Sequence, residues 1–302
     1  MSDKVKPVGN YADDGMTRGL IAEDLTKFKW LEQIELSPDG EMIAYTVRRV
    51  NEETNDYDVD LYLMNLGTKE RQRVTKRRGQ ASSLKWSRDS NRLAYVHKRE
   101  EEEASTIKIV APREEDNELD PISYEVADGM PTDLDWSPDG KHLAYTKRVK
   151  VENARESYSA KSTDLPSTER HINRLRYKLE GEGFVEDSYK HIHVIETESG
   201  GEEQLTTGEC DYSSPRWSWS GDRLAFIGTS REQNTELGQG RIFTCSYPGG
   251  TPRQLTPDFV GEQNSPVWGP EDEEIAFTGH NNSIPVNNEI FPSVWKYSFP
   301  EN

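Results

Sequence analysis

The feature that most constrains this chain is a pattern it writes five times. Leu36-Ser37-Pro38-Asp39-Gly40 leads into Met42-Ile43-Ala44-Tyr45, and Trp86-Ser87-Arg88-Asp89-Ser90 into Arg92-Leu93-Ala94-Tyr95. Trp136-Ser137-Pro138-Asp139-Gly140 leads into His142-Leu143-Ala144-Tyr145. Trp217-Ser218-Trp219-Ser220-Gly221 leads into Arg223-Leu224-Ala225-Phe226, and Trp268-Gly269-Pro270-Glu271-Asp272 into Glu274-Ile275-Ala276-Phe277. Successive copies lie 50, 50, 81 and 51 residues apart. A period near fifty marks a chain of stacked units, each burying its apolar faces against its neighbours.

Each copy has the same internal logic. A short strand ends in Trp or Leu, and the turn that follows uses Pro to fix φ, Asp to bond back to its own backbone, and Gly to tolerate positive φ. A strand with apolar alternation comes next. Its Ala is constant, a small side chain for a place where neighbouring sheets crowd together. A third strand is expected at residues 60–65, 107–110, 191–195, 241–245 and 294–297. Closing strands end alike in Arg73-Val74-Thr75, Gln204-Leu205-Thr206 and Gln254-Leu255-Thr256. Four antiparallel strands per unit describe the blade of a β-propeller. The expected fold is therefore all-β, with about five blades near residues 31–76, 82–126, 131–206, 212–256 and 264–302. An insertion at 151–188, polar in its first half, accounts for the long third step. The fifth blade lacks a closing strand, so an incomplete ring is expected. Residues 1–30 precede the blades and include a short helix, because Leu25, Phe28 and Leu31 fall at helical spacing. The tract 98–103 reads as a charged loop.

Charge narrows the partners. Asp and Glu number 55 against 37 Lys and Arg, a net charge of −18. Such a surface repels nucleic-acid phosphates and anionic lipid, so neither nucleic acid nor membrane is expected as a partner. The local cluster Arg71, Arg73, Lys76, Arg77 and Arg78 has no interleaved aromatic residues for base stacking and reads as a solvated strand end and loop. No run approaches the roughly 18 apolar residues of a membrane span. Met1–Tyr11 is polar, without the apolar core of an export signal. Cys210 and Cys245 have the spacing of neither a disulfide framework nor a metal motif, and read as idle thiols of a cytoplasmic protein. The acidity also fits a surface kept hydrated at high salt, where stability would rise as repulsion is screened.

Several residues invite a chemical reading. Asp56, Asp58 and Asp60 alternate, but a calcium loop would need Gly and Glu where Leu61 and Gly67 stand, so solvation of a strand edge is expected. His191 and His193 share one face of a strand, yet no third ligand has a readable spacing for zinc. Asp39 and Asp139 recur at one place in the repeat. A catalytic residue is needed once and a turn residue once per blade, so these read as turn residues. Trp86, Trp136, Trp217 and Trp268 read as core packing. Gly238 and Gly240 are too sparse for a phosphate loop. No catalytic, cofactor-binding or metal-binding residue is assigned, and no cofactor is expected.

The repeated Trp-Ser-Pro-Asp-Gly with its aliphatic-Ala-aromatic strand resembles the TolB-like propeller repeat. Glu23-Asp24-Leu25 before Leu36-Ser37-Pro38-Asp39-Gly40 resembles the start of acylaminoacyl peptidases of the prolyl oligopeptidase family. So does Ala44-Tyr45-Thr46-Val47 leading to Asn55-Asp56-Tyr57. The stretch from Arg174-Leu175-Arg176-Tyr177 through Gly181-Glu182-Gly183-Phe184 to His191-Ile192-His193-Val194 is similar to the same family, and the likeness spans about residues 20–299. The resemblance implies a propeller that covers the active site of an α/β-hydrolase domain, admitting peptides and excluding folded proteins. That hydrolase carries its serine on a Gly-x-Ser-x-Gly elbow. The motif is absent here: Ser220 precedes Gly221, but position 218 is Ser. The chain is therefore expected to be the non-catalytic propeller of such a serine peptidase, truncated or split from its hydrolase part and inactive alone. The alternative is a stand-alone TolB-like scaffold for protein binding. Expected partners are peptides, a hydrolase domain or chain, and further copies of this chain through an open blade edge.

Overall fold

The computed structural model describes residues 21–76, 78–99, 104–113, 121–126, 129–150, 178–179, 183–184, 188–230, 240–259, 261–280 and 292–300. The chain forms successive antiparallel blades. The first contains β1 (Lys29–Leu36), β2 (Met42–Asn51), β3 (Asp56–Asn65) and β4 (Arg71–Arg73). The second contains β5 (Gln80–Trp86), β6 (Leu93–Lys98), β7 (Ser105–Val110) and β8 (Ile122–Val126). In the third, β9 (Thr132–Trp136) and β10 (His142–Lys150) precede the short pair β11 (Lys178–Leu179) and β12 (Gly183–Phe184), then β13 (Ser188–Glu196) and β14 (Glu202–Gln204). The fourth contains β15 (Cys210–Trp217), β16 (Arg223–Ser230), β17 (Arg241–Ser246) and β18 (Arg253–Gln254). The fifth contains β19 (Gln263–Trp268), β20 (Glu274–Gly279) and β21 (Ser293–Ser298). The first strands of successive blades pack side by side, β1 on β5, β5 on β9, β9 on β15 and β15 on β19, so they form the inner wall.

The core lies between blades. Ala44, Leu61, Leu63 and Val74 of the first blade meet Trp86, Leu93 and Tyr95 of the second. The same arrangement recurs at the next three junctions, where Ala94, Ala144 and Ala225 face Trp136, Trp217 and Trp268 with their flanking aliphatic and aromatic residues. The constant Ala therefore faces the following blade, while the Trp, the aliphatic residue and the aromatic face the preceding one. Alternation along a strand delivers both faces from one short segment. The indole N–H donates to a main-chain carbonyl of the preceding blade: Trp86 to Glu35 at 3.2 Å, Trp136 to Lys85 at 3.0 Å and Trp268 to Arg216 at 2.9 Å. Trp217 differs. Its indole nitrogen is buried without a hydrogen-bond partner among the described residues, and its backbone N–H donates to the Asp135 carboxylate at 2.8 Å.

Among the described residues the two ends of this stack are uncovered. No strand of the first blade packs against a strand of the fifth among the described residues. Leu36, the counterpart of the four buried Trp residues, is 53% exposed. Ile43 and Tyr45 are only half-buried, whereas their counterparts in the other four blades are buried. At the far end Ala276 is half-buried where the other four Ala residues are 0% exposed, and Val294 is 78% exposed.

The amino-terminal helix is shorter than its spacing predicts. A 3-10 helix covers Ala22–Lys27 alone, capped by the Asp24 carboxylate accepting from the Ile21 N–H at 3.1 Å. Leu31 lies in β1 opposite Val47, because pairing with β2 along most of an eight-residue strand outweighs a three-residue helical stripe. Of the charged loop expected at 98–103, Lys98 ends β6, while residues 100–103, the polar half of the insertion and Arg174–Tyr177 lie outside the described residues.

Candidate functional site

The Ser-x-Asp turn is a hydrogen-bonded unit, which explains its repetition. Ser37, Ser87 and Ser137 donate from Oγ to Asp39, Asp89 and Asp139 at 2.7, 2.5 and 2.6 Å. Each Asp accepts the N–H two residues on, in Glu41, Asn91 and Lys141. Each Ser Oγ also accepts the N–H that opens the next strand, at 2.9 Å in all three copies. The Ser37 hydroxyl and the Glu41 N–H hold Asp39 below its usual pKa, with Arg113 adding to the effect. These carboxylates are occupied by the turn.

Function is more legible where the turns depart from the repeat. The residue after the Ser, or after Gly269 in the fifth copy, is Pro38, Arg88, Pro138, Trp219 and Pro270 in chain order. The two departures meet: the Arg88 guanidinium lies 4.5 Å over the Trp219 ring. Arg88 Nη2 donates to the Trp217 carbonyl at 2.9 Å, tying the second blade to the fourth. Arg88 Nη1 is buried and has no hydrogen-bond partner among the described residues. Trp219 is 58% exposed, and its turn is held by Asp272, which accepts the Trp219 and Ser220 N–H groups at 2.6 and 2.8 Å.

Beside Arg88 lies a cavity of about 160 Å³. Three consecutive inner strands end there, contributing Glu35 and Leu36, Lys85 and Trp86, and Asp135 and Trp136, with Pro38 and Arg88 from the turns. Lys85 Nζ sits between two carboxylates, 3.5 Å from Glu35 and 3.8 Å from Asp135. Burial pushes the Asp135 carboxyl up, against the opposing charges of Lys85 and Arg216. Burial lowers the Arg88 pKa, against the charges of Asp135 and Asp272. The cavity thus gathers fixed charge of both signs in a place partly removed from water, where polar interactions are strengthened.

The other sequence candidates are structural. Asp58 and Asp60 are buried, which corrects the expectation of a solvated strand edge. Asp60 pairs with Arg49 at 3.1 Å and Arg73 at 2.6 Å, and Asp58 lies 3.0 Å from Arg49. Cross-strand register delivers these arginines, and paired charges tolerate burial. Asp56 stays exposed. Arg73 and Arg78 of the basic cluster engage Asp60 and Glu53, while Arg77 lies outside the described residues. His191 lies 3.3 Å from the Thr206 hydroxyl, and His193 2.8 Å from Glu202 and stacked on Tyr145. Burial, with the charge of Lys147, holds His193 down to about 4. Among the described residues no cluster of His, Cys, Asp or Glu is arranged to hold a metal. Cys210 and Cys245 are free thiols, and burial pushes Cys245 up to about 11. Gly240 ends a stretch whose other members, with Gly238, lie outside the described residues.

No protein-family profile matches the sequence. The chain is 24% identical over 218 residues to the uncharacterized peptidase YuxL of Bacillus subtilis, across 72% of this chain and 32% of that protein. The acylaminoacyl peptidase of Pyrococcus horikoshii superposes with a TM-score of 0.64 at 16% identity, over 90% of this chain and 38% of that one. The fold is a β-propeller. The β-propeller domain of the Trilobed protease from Pyrococcus furiosus also superposes, with a TM-score of 0.55 at 17% identity over 91% of this chain and 70% of that one. This propeller therefore spans about a third of the length of the curated relative it matches, and 70% of a propeller domain of like architecture. No helix among its described residues is long and apolar enough to cross a membrane.

The turn and blade residues were readable from repetition. The Arg88–Trp219 pair was missed. The usable signal was substitution at one repeat position, since both residues stand where three copies carry Pro.

Proposed function

We propose that this chain is the non-catalytic propeller of an acylaminoacyl-peptidase-like serine peptidase, cytoplasmic, and that it governs which substrates reach the catalytic part. The observation that carries this reading is the superposition of 90% of the chain on 38% of the Pyrococcus horikoshii peptidase. The match to a peptidase sequence in Bacillus subtilis supports it independently. Nothing in the 302 residues supplies a Gly-x-Ser-x-Gly nucleophile. Hydrolysis would belong to a separate domain or chain. The propeller would contribute a passage wide enough for an extended peptide and too narrow for a folded protein. Its partners would be peptides, a hydrolase domain, and further copies of the chain through the uncovered faces of the first and fifth blades.

The test uses the purified chain. Short unstructured peptides should bind in a calorimetric titration, folded proteins of similar charge should not, and N-acetylalanine anilide should remain unhydrolysed. Turnover blocked by a serine-directed reagent would overturn the non-catalytic assignment. Tight binding of a folded protein without peptide binding would favour the stand-alone scaffold.

A further inference from the structure

We propose that the cavity beside Arg88 is a carboxylate-binding site that takes the free C-terminal end of a peptide. The proposal rests on the peptide-passage reading in one respect, that peptides reach the inner wall. Three observations carry it. The first is a buried guanidinium nitrogen, Arg88 Nη1, with no hydrogen-bond partner among the described residues. A buried charged donor left unsatisfied is costly, and a carboxylate is its strongest complement. The second is the departure from the repeat. Arg88 stands where Pro38 and Pro138 stiffen the equivalent turns, so the turn gives up a favoured residue to place a cation there.

The third is the composition of the cavity. Lys85 Nζ lines it as a second cation, lying at 3.5 and 3.8 Å from Glu35 and Asp135, too far for short hydrogen bonds to either. Its volume of about 160 Å³ corresponds to roughly five waters' share of liquid. That accommodates a terminal carboxylate and the atoms next to it, and no folded surface. Trp219 does not line the cavity, but its ring, 4.5 Å from the Arg88 guanidinium, helps hold that group in place. Glu35 and Asp135 also line the cavity, so a ligand carrying a second acidic group would meet their charge.

Titration calorimetry with Trp fluorescence would test this, using trialanine as free acid, trialanine amide, an N-succinylated trialanine amide, and acetate. The free acid should bind roughly tenfold or more tightly than the amide, the loss expected for one charge-assisted contact. Weak binding of acetate and of the succinyl peptide relative to the free acid would support a chain end as ligand. Equal binding of succinyl peptide and free acid would overturn that part and leave a general carboxylate site. Arg88→Pro installs the residue of the first and third turns, so the fold should persist while acid binding falls to the level of the amide. Arg88→Gln provides the same reading without a change of backbone. Equal binding of acid and amide, or full binding by both variants, would overturn the carboxylate site and leave the peptide-passage reading intact. Binding of no peptide at millimolar concentration would overturn both.

Discussion

Position-equivalent substitutions should have unequal costs, because the same face is covered in four blades and bare in one. Trp136→Leu gives the third copy the residue that the first copy carries naturally. It removes the indole donation to the Lys85 carbonyl at 3.0 Å and the ring that Arg92 covers at 4.8 Å, and it shrinks a side chain that is 1% exposed. A lost buried hydrogen bond, a lost cation–π contact and a partly collapsed cavity together should lower stability by about 3–5 kcal/mol. Leu36→Ala acts on a side chain already 53% exposed, leaves no closed cavity and should cost about 1 kcal/mol or less. Urea unfolding followed by circular dichroism, at low protein concentration, measures both. Equal losses would mean that the first blade's outer face is covered in solution, which would refute the reasoning from uncovered ends. A Trp136→Leu protein within about 1 kcal/mol of wild type would show that the indole lock carries little of the junction.

Acid should destabilise the third blade before ordinary carboxylate titration begins. His193 titrates near 4 in the folded chain against 6.5 when free, so between these values the unfolded chain holds more protons and stability falls as pH drops. The loss should be on the order of 2–3 kcal/mol across that window and should be flattened in His193→Gln, as read from urea midpoints at several pH values. With a net charge of −18, the melting temperature should rise from low to molar salt; a flat or falling curve would remove the high-salt interpretation. Sedimentation velocity should show association that grows with concentration and is weakened by Leu31→Lys or Ile34→Lys on the exposed face of β1; a monodisperse monomer that binds no hydrophobic dye would count against exposed ends.

Repetition made the architecture readable because it exposes requirements shared by all blades. A Ser–Asp turn, a small Ala and a large Trp recur because each junction imposes the same geometry. Properties unique to one blade were harder to see. Asp58 and Asp60 read as polar strand residues, since their burial depends on Arg49, opposite Asp58, and on Arg73, opposite Tyr62 and so diagonal to Asp60. Leu31 fitted a helix by spacing, and only pairing with Val47 decides otherwise. A left-handed residue three positions before Trp86, Trp136, Trp217 and Trp268, at Ser83, Asp133, Ser214 and Ser265, coincides with a break of register in each of β5, β9, β15 and β19. Ser and Asp are ordinary enough in loops that this bulge leaves little trace in composition. The candidate site was hidden for a related reason. Arg88 and Trp219 lie 131 positions apart, and their meeting depends on how the blades curve.

The indole lock between blades ends on a main-chain oxygen, an atom every residue possesses. At these three contacts the neighbouring blade supplies a backbone atom, while the side chains packed around it, Ala against Trp, still have to fit. Such a contact survives substitution of the residue that accepts it. In the first blade Leu36 stands where the other four carry the Trp, so no indole lock can be made from that position.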